Sequence, residues 1–254
     1  MLAEERFQAI LSLLEQKRAA TVAELARETG TSESTIRRDL NTLDRQGRLN
    51  KVHGGATALE SEFMALERDV VTREYLNVEE KEEIAQYAAE QIGDDDFVFL
   101  DAGTTTMKLA EYMGATKATF VTNGIVHGRI LSEKGLKVYI LGGQLKPSTE
   151  AIVGAGALNS LRQFNFTKAF MGVTGISAGQ GYTTADPEEA LVKSEAIRRS
   201  YATYMLADHS KFNKVYAATI ETLEKACIIT DRLPDGKFRQ YTEITEVEKE
   251  DAGE

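Results

Sequence analysis

Helix-period segments alternate with short apolar, β-rich runs from residue 78 onward, and this alternation narrows the possible folds more than any other feature of the chain. The helical patterns include "KEEIAQYAAEQI", "TTMKLAEYM", "GIVHGRILSE", "EAIVGAGALNSLRQF" and "DPEEALVKSEAIRRS". Between and after them stand "FVFLD", "ATFVTN", "KVYILGG", "KAFMGVTG", "ATYMLADHSKF", "VYAATI" and "ACIIT". Such an order predicts an α/β domain built around a mainly parallel sheet.

Each of five strands exits into small or polar residues. The exits read Asp101-Ala-Gly103-Thr104-Thr105-Thr106, Thr122-Asn123-Gly124, Gly142-Gly143, Gly172-Val-Thr174-Gly175 and Asp208-His209-Ser210-Lys211. Ligands of open α/β sheets bind at the carboxyl ends of strands, so five polar exits predict one shared site. A glycine and three threonines opening a helix offer backbone N–H groups, hydroxyls and the positive end of a dipole to a phosphate. Asp101 and Asn123 suit sugar hydroxyls, and Lys193 or Lys211 suits the charge. Ordinary βα turns use the same residue types, so the Gly103 loop alone does not decide. No Walker motif and no GxGxxG is present, which argues against a nucleoside triphosphate or a dinucleotide. The predicted ligand set is Asp101, Gly103, Thr104, Thr105, Thr106, Asn123, Gly142, Gly143, Thr174, Gly175, Lys193, Asp208 and Lys211, with no cofactor.

The first 56 residues obey another pattern. Phe7, Ile10, Leu11 and Leu14 mark one face of a helix over about residues 3 to 17. Thr21 suits the N-cap of a short second helix carrying Val22, Leu25 and Ala26, and Gly30 suits its stop. Ser32 caps a third helix in which Ile36, Leu40 and Leu43 share a face. At 100° per residue Ser34, Arg38, Asn41 and Arg45 point the other way, flanked by Thr35 and Arg37. A solvated bundle face has a similar composition. Two short helices joined through a glycine turn, with hydroxyls opening the second, instead match the geometry that sets a helix N-terminus in the major groove. Gly47 would end the helix, and "GRLNKVHGGA" would form a two-stranded wing about a Gly54-Gly55 turn. The predicted DNA contacts are Ser32, Ser34, Thr35, Arg37, Arg38, Asn41, Arg48, Lys51 and His53.

The net charge of -10 does not oppose this reading. Residues 1 to 60 hold 9 basic and 9 acidic side chains, so the whole deficit lies beyond them. DNA binding depends on the local face, because charges decay over a Debye length. Residues 57–77, "TALESEFMALERDVVTREYLN", read as a linker that could form a connecting helix, and "EVEKEDAGE" reads as a frayed acidic tail. No run of about 18 apolar residues appears, and "MLAEERFQAI" lacks the basic and apolar regions of a secretory signal. A soluble cytoplasmic protein without membrane contact is expected. Cys227 lies in the apolar run "ACIIT" and reads as a small buried residue. His53, His127 and His209 fall in no metal-ligand spacing, so no metal site is predicted.

Arg6, Ile10 and Leu14, then "SESTIRRDL" and "GRLNKVHGGA", resemble the N-terminal signature of the DeoR family of bacterial transcriptional regulators. Lys51 departs from it, standing where arginine is usual; the charge is kept and bidentate recognition is lost. "LDAGTTT", "VTNG", "LGGQLKPSTEAIVGAGAL", "GVTGIS", "GYTTADPEEALVKSEAI" and "LADHSKF" resemble that family's effector domain. The resemblance implies a winged helix-turn-helix over 1–56 and, over 78–254, a sensor with a fold like that of ribose-5-phosphate isomerase. Within the family, "GYTTADPEEALVK" and "GGQLKPSTEAIVG" look most like fructose operon repressors. That implies a homo-oligomeric repressor, dimer or tetramer, released from operator DNA by fructose 1-phosphate; the residues alone reach only a phosphorylated sugar.

Two alternatives stand beside this reading. One is a regulator of a different phosphosugar, such as tagatose 6-phosphate or ribose 5-phosphate. The other is a sugar-phosphate isomerase with a DNA-binding head, for which Asp101, Asp186, Glu188 and Glu189 are candidate bases by type. Asp186 as N-cap, Pro187 at the first helical position and acids in the first turn are explained by helix initiation alone. The expectation is therefore a regulator and not an enzyme.

Overall fold

A computed structural model describes residues 3–17, 19–46, 48–57, 62–63 and 70–247. The chain divides into two compact units, Met1–Ser61 and Glu62–Glu254. Gly47, residues 58–61 and 64–69 of the expected linker, and the acidic tail beyond residue 247 lie outside the described residues.

In the first unit α1 (Ala3–Lys17), α2 (Val22–Thr29) and α3 (Glu33–Arg45) enclose Ile10, Leu14, Leu25, Ile36, Leu40 and Leu43. The predicted caps are in place. Thr21 and Glu24 form a reciprocal capping box, Gly30 closes α2 in the left-handed region at φ 64°, and Ser32 accepts the Thr35 N–H. Asp39, on the inner side of α3, holds the Arg6 guanidinium of α1 through two hydrogen bonds, one to Nε and one to Nη2 at 3.1 Å.

The expected two-stranded wing has three strands. β1 (Ala19–Thr21), β2 (Asn50–Val52) and β3 (Gly55–Thr57) form an antiparallel sheet in the order β1-β3-β2. The turn lies at His53–Gly54 rather than Gly54–Gly55, with Gly54 at φ 87°. Gly55 belongs to β3, where a Cβ would stand 2.3 Å from the Ala20 carbonyl oxygen. Close backbone approach, not a turn, requires that second glycine.

In the second unit β4 (Glu62–Phe63) and the short α4 (Val70–Glu74) occupy part of the stretch where a connecting helix was predicted. Next along the chain are α5 (Val78–Glu90), β5 (Phe97–Leu100), α6 (Thr104–Tyr112), β6 (Thr119–Thr122), α7 (Ile125–Glu133) and β7 (Lys137–Ile140). A hairpin, β8 (Gln144–Lys146) and β9 (Ala151–Val153), leads into α8 (Gly154–Leu161). Then come β10 (Phe166–Gly172), β11 (Gly175–Ser177), β12 (Gly181–Thr184), α9 (Pro187–Arg198) and β13 (Ser200–Leu206). β14 (Lys214–Val215), β15 (Ala218–Glu221), β16 (Cys227–Thr230) and β17 (Ile244–Glu246) complete the unit.

The main sheet is parallel throughout and runs β17-β16-β13-β10-β5-β6-β7. Its strands read as continuous apolar runs because both faces are covered. Successive side chains alternate: Val98 and Leu100 pack with Ile84, Leu109 and Leu131 from α5, α6 and α7, whereas Phe99 packs with Leu161 and Ala196 from α8 and α9. "VYAATI" does not join this sheet. Its second half forms β15, which pairs with β12 in the small antiparallel sheet β11-β12-β15. Cys227 is half-buried, with Sγ 3.7 Å from Glu243 Oε2, and not the core residue expected. Among the described residues no helix is long and apolar enough to cross a membrane.

Candidate functional site

Each unit carries one candidate surface. In the first, burial of Ile36, Leu40 and Leu43 turns Ser34, Arg37, Arg38, Asn41 and Arg45 of α3 to solvent. Ser32 Oγ meets the Ser34 and Thr35 hydroxyls at 2.9 and 3.0 Å, so three hydroxyls cluster at the helix start. Arg37, Asn41, Asp44, Lys51, Val52 and His53 line one groove between α3 and the wing. Lys51 Nζ donates to Asn41 at 2.6 Å, and its N–H donates to Asp44 at 2.8 Å. Asp44 thus fixes the wing to the helix, a role not visible in its spacing. Arg48 is turned toward Glu4 at 3.5 Å, away from this groove.

In the second unit the chain leaves β5 toward β6 and β7, and leaves β10 in the opposite direction toward β13, β16 and β17. Strand order therefore reverses between β5 and β10, and a crevice opens beyond their carboxyl ends. The cleft there is lined by Gly103, Thr104, Thr105, Thr174, Lys193 and Lys211 from the predicted set. Arg73, Thr184 and Glu189 complete its polar wall. Gly103 is the N-cap of α6, which directs the first-turn N–H groups and the Thr104 and Thr105 hydroxyls at the cleft.

Beneath this wall lies a buried polar layer. Asp101, 1% exposed, accepts the Gly172 N–H on both oxygens at 3.1 Å, the Thr106 hydroxyl at 2.9 Å and the Lys193 ammonium. Lys193 also donates to the Gly172 carbonyl at 2.9 Å. Asp101, expected from the sequence to meet sugar hydroxyls, has its oxygens turned inward and sets Lys193 in place. Asp208, fully buried, accepts from Asn77 at 2.8 Å and from the Ser210 N–H at 2.9 Å, with Lys211 Nζ at 3.6 Å. Burial alone would raise its carboxyl, but Lys211, Ser210 and Asn77 outweigh that and hold it below the usual carboxylate range.

Two further groups support the layer. His127 Nε2 lies 3.0 Å from the Gly103 carbonyl and 3.2 Å from the Thr106 hydroxyl. A carbonyl only accepts, so Nε2 carries the proton; burial pushes the imidazole down to about 4, against that hydrogen bond. Lys81, 3% exposed, donates to the Arg73 carbonyl; burial and then Lys211 push it down to about 8, while Asp208 opposes.

The remaining predicted residues stand elsewhere. Asn123 ties the exit of β5 to β9, accepting the Ala102 N–H at 3.1 Å and donating to the Ile152 carbonyl at 3.3 Å, and does not line the cleft. Gly142 and Gly143 come after β7 at the sheet edge, where Gly143 packs on Gly156. Gly175 lies within β11 against the Lys214 carbonyl. The exits of β5, β10 and β13 converge because these strands are neighbours; those of β6 and β7 lie to one side.

Among residues missed in the sequence, Lys81 left a signal, since it falls in register with Ile84, Ala85 and Ala88 on the buried face of α5. Arg73 left none, being in a stretch that reads as linker. Glu189 reads from sequence only as a first-turn acid or a candidate base; it accepts from Lys146 at 2.9 Å and Thr149 at 2.6 Å. Glu80, His209 and Asp231 gather donor atoms within 4.8 Å of one another, which the histidine spacing did not predict. Within that group His209 and Asp231 are joined by two contacts of 2.7 Å, one from the His209 N–H and one at Nδ1.

Residues 6–62 match the DeoR-like helix-turn-helix domain and residues 76–232 the DeoR C terminal sensor domain. The chain is 40% identical over 248 residues to the uncharacterized HTH-type transcriptional regulator FruR of Bacillus subtilis, covering 97% of this chain and 98% of that one. It is 34% identical to the HTH-type transcriptional repressor GlcR of the same organism, over 94% and 92% of the two chains. The lactose phosphotransferase system repressor of Streptococcus mutans is 31% identical, over 96% and 98%. Among solved structures, a ribose 5-phosphate isomerase A from Methanocaldococcus jannaschii aligns with a TM-score of 0.41 at 12% identity, over 54% of this chain and 55% of that one.

Proposed function

The chain belongs to the DeoR family of helix-turn-helix transcriptional regulators, and from that membership we propose that it represses a fructose-utilisation operon and leaves its operator when fructose 1-phosphate binds the sensor unit. The observation that carries the effector class is the cleft at the strand-order reversal. There the N-terminus of α6 meets Lys193 and Lys211, a combination suited to a phosphate dianion. Thr174, Thr184 and Glu189 supply donors and acceptors for sugar hydroxyls on the same wall. Fructose is supported by the likeness to the relative named FruR. The likeness to a lactose phosphotransferase system repressor supports a second reading, a different phosphorylated sugar.

Operator DNA is read by the exposed face of α3 and its groove with the wing, through Ser32, Ser34, Thr35, Arg37, Arg38, Asn41, Lys51 and His53. The protein works in the cytoplasm as a homo-oligomer, dimer or tetramer, because paired heads add the affinity and half-site spacing that one small head lacks. Light scattering of the full chain checks the oligomer.

The effector is tested by melting temperature against fructose 1-phosphate, fructose 6-phosphate, ribose 5-phosphate, tagatose 6-phosphate and free fructose. Each ligand is then added to the complex with an operator selected from random-sequence DNA. Stabilisation and release by fructose 1-phosphate alone is the expected result. The same response to another phosphosugar replaces fructose with that sugar, and no response to any of them removes the effector reading.

A further inference from the structure

Three side chains able to ligate a metal meet at the carboxyl ends of β13 and β16. His209 opens the short 3-10 helix that follows β13, Asp231 is the first residue after β16, and Glu80 stands in the first turn of α5. β13 and β16 are parallel neighbours in the sheet, so their exits lie side by side. One ligand atom from each of the three side chains lies within 4.8 Å of the other two. All three residues are half-buried, and none of them lines the cleft.

The contacts already made leave coordinating capacity in this group. Asp231 accepts the His209 N–H on Oδ1 and meets the His209 ring at Nδ1 with Oδ2, both at 2.7 Å, and the Thr230 hydroxyl lies 3.3 Å from Oδ1. The carboxylate is thereby fixed against the imidazole, while Oδ2 has no second donor among the described residues. Glu80 is the telling member. Among the described residues its carboxylate makes no hydrogen bond and no ion pair, although burial takes part of its hydration away. The positive end of α5 favours an acid in this turn, as it does at Glu79, but only Glu80 reaches the His209–Asp231 pair. Two carboxylates around one neutral imidazole carry the charge that a dication neutralises, which the single hydrogen bond between His209 and Asp231 does not.

We propose that Glu80, His209 and Asp231 hold a divalent transition-metal cation, with Zn²⁺ the best match. One imidazole nitrogen with two carboxylate oxygens is a zinc donor set, whereas Mg²⁺ and Ca²⁺ take oxygen alone. Without the ion, Nδ1 carries the proton that it donates to Asp231. With it, Nδ1 and Oδ2 both face the metal, the proton passes through solvent to Nε2, and the imidazole stays neutral. Metal–ligand bonds of about 2.0–2.2 Å require the Nδ1–Oδ2 contact to open by about half an ångström and Glu80, held by no other contact, to swing in. Three protein ligands leave the fourth tetrahedral position to water. The ion ties the start of α5 to the exits of β13 and β16, which are far apart in the chain, and it stabilises the sensor unit because it binds the folded state alone. It does so whether or not a phosphosugar occupies the cleft.

The full chain, stripped with a chelator at near-neutral pH, is titrated with Zn²⁺, Mn²⁺ and Mg²⁺ in the absence of sugar. Calorimetry reads stoichiometry and affinity, and the melting temperature reads stabilisation. One Zn²⁺ per chain is expected, with a Kd of about 1 µM or tighter, a melting temperature that rises and falls back when chelator is added, and Mg²⁺ about a hundredfold weaker or more. Glu80→Gln disturbs no other contact, so it keeps the fold, and it is expected to weaken Zn²⁺ about tenfold or more. His209→Gln and Asp231→Asn are expected to remove binding. Cys227→Ser takes away the one thiol and is expected to bind Zn²⁺ as the wild type does. A stripped wild type that takes up no Zn²⁺ at about 100 µM, or that binds Mg²⁺ equally well, overturns the proposal. So does wild-type Zn²⁺ affinity in Glu80→Gln, His209→Gln or Asp231→Asn, or loss of Zn²⁺ from Cys227→Ser, each of which assigns the ion to other side chains.

Discussion

Asp101 and Lys193 form an ion pair under the floor of the cleft, the aspartate side chain 1% exposed and the lysine 13%. Removing one partner leaves the other charge buried without compensation. Asp101→Asn is expected to lower unfolding free energy by about 3 kcal/mol, measured by urea denaturation, and to abolish effector stabilisation. Full retention of both would mean that Asp101 does not hold Lys193.

Arg38→Ala tests the first unit separately, because Arg38 is exposed on the outer face of α3. Operator affinity should fall by about 1 to 3 kcal/mol, and a phosphate contact would reduce the salt slope by about 1. Effector-induced thermal stabilisation should persist. An Arg38→Ala protein that binds operator like the wild type would place the DNA surface elsewhere.

His127 makes the second unit acid-sensitive. The unfolded imidazole takes up a proton below about 6.5, whereas the folded one does so only near 4, so the unfolded state binds more protons in between. Stability should therefore fall by about 3 kcal/mol as pH drops from 6.5 to 4. His127→Gln should lose this part of the pH profile in denaturant titrations, and an unchanged profile would assign the acid sensitivity to other groups.

Lys81 acts in the alkaline range. Its folded value of about 8 lies below its ordinary 10.5, so between those limits the unfolded state again holds the extra proton. Stability should rise from pH 8 to 10.5 in the wild type relative to Lys81→Met, read as the difference between two melting curves at each pH. A constant difference would show that Lys81 carries no burial cost.

The sequence made local rules legible wherever one residue type answers one backbone need. Thr21, Gly30, Ser32 and Asp186 cap as read, and the apolar runs "FVFL", "TFVT" and "CIIT" join one parallel sheet. Contacts fixed by strand order were not legible. Asn123 and Gly143 have the same chemistry as residues in the cleft, yet β6 and β7 carry them to one side. Arg73 was hidden for the opposite reason: a polar stretch with neither glycine nor proline reads as linker, and only the fold brings it to Lys193 and Lys211. Gly55 shows a third kind of limit, because its need for a small residue comes from β1, a strand too short to leave a pattern.

The pairing of β4 with β14 bears on exchanging heads among relatives. Sequence pattern alone would place the join at residue 78, ahead of α5. A chimaera joined there would take Arg73, Asn77 and β4 from the foreign head and set another protein's side chain against this cleft. A join before Glu62 carries the native strand, arginine and asparagine with the sensor they serve. The strand pairing, the arginine at the cleft and the asparagine bonded to Asp208 would then travel together in the transplanted piece.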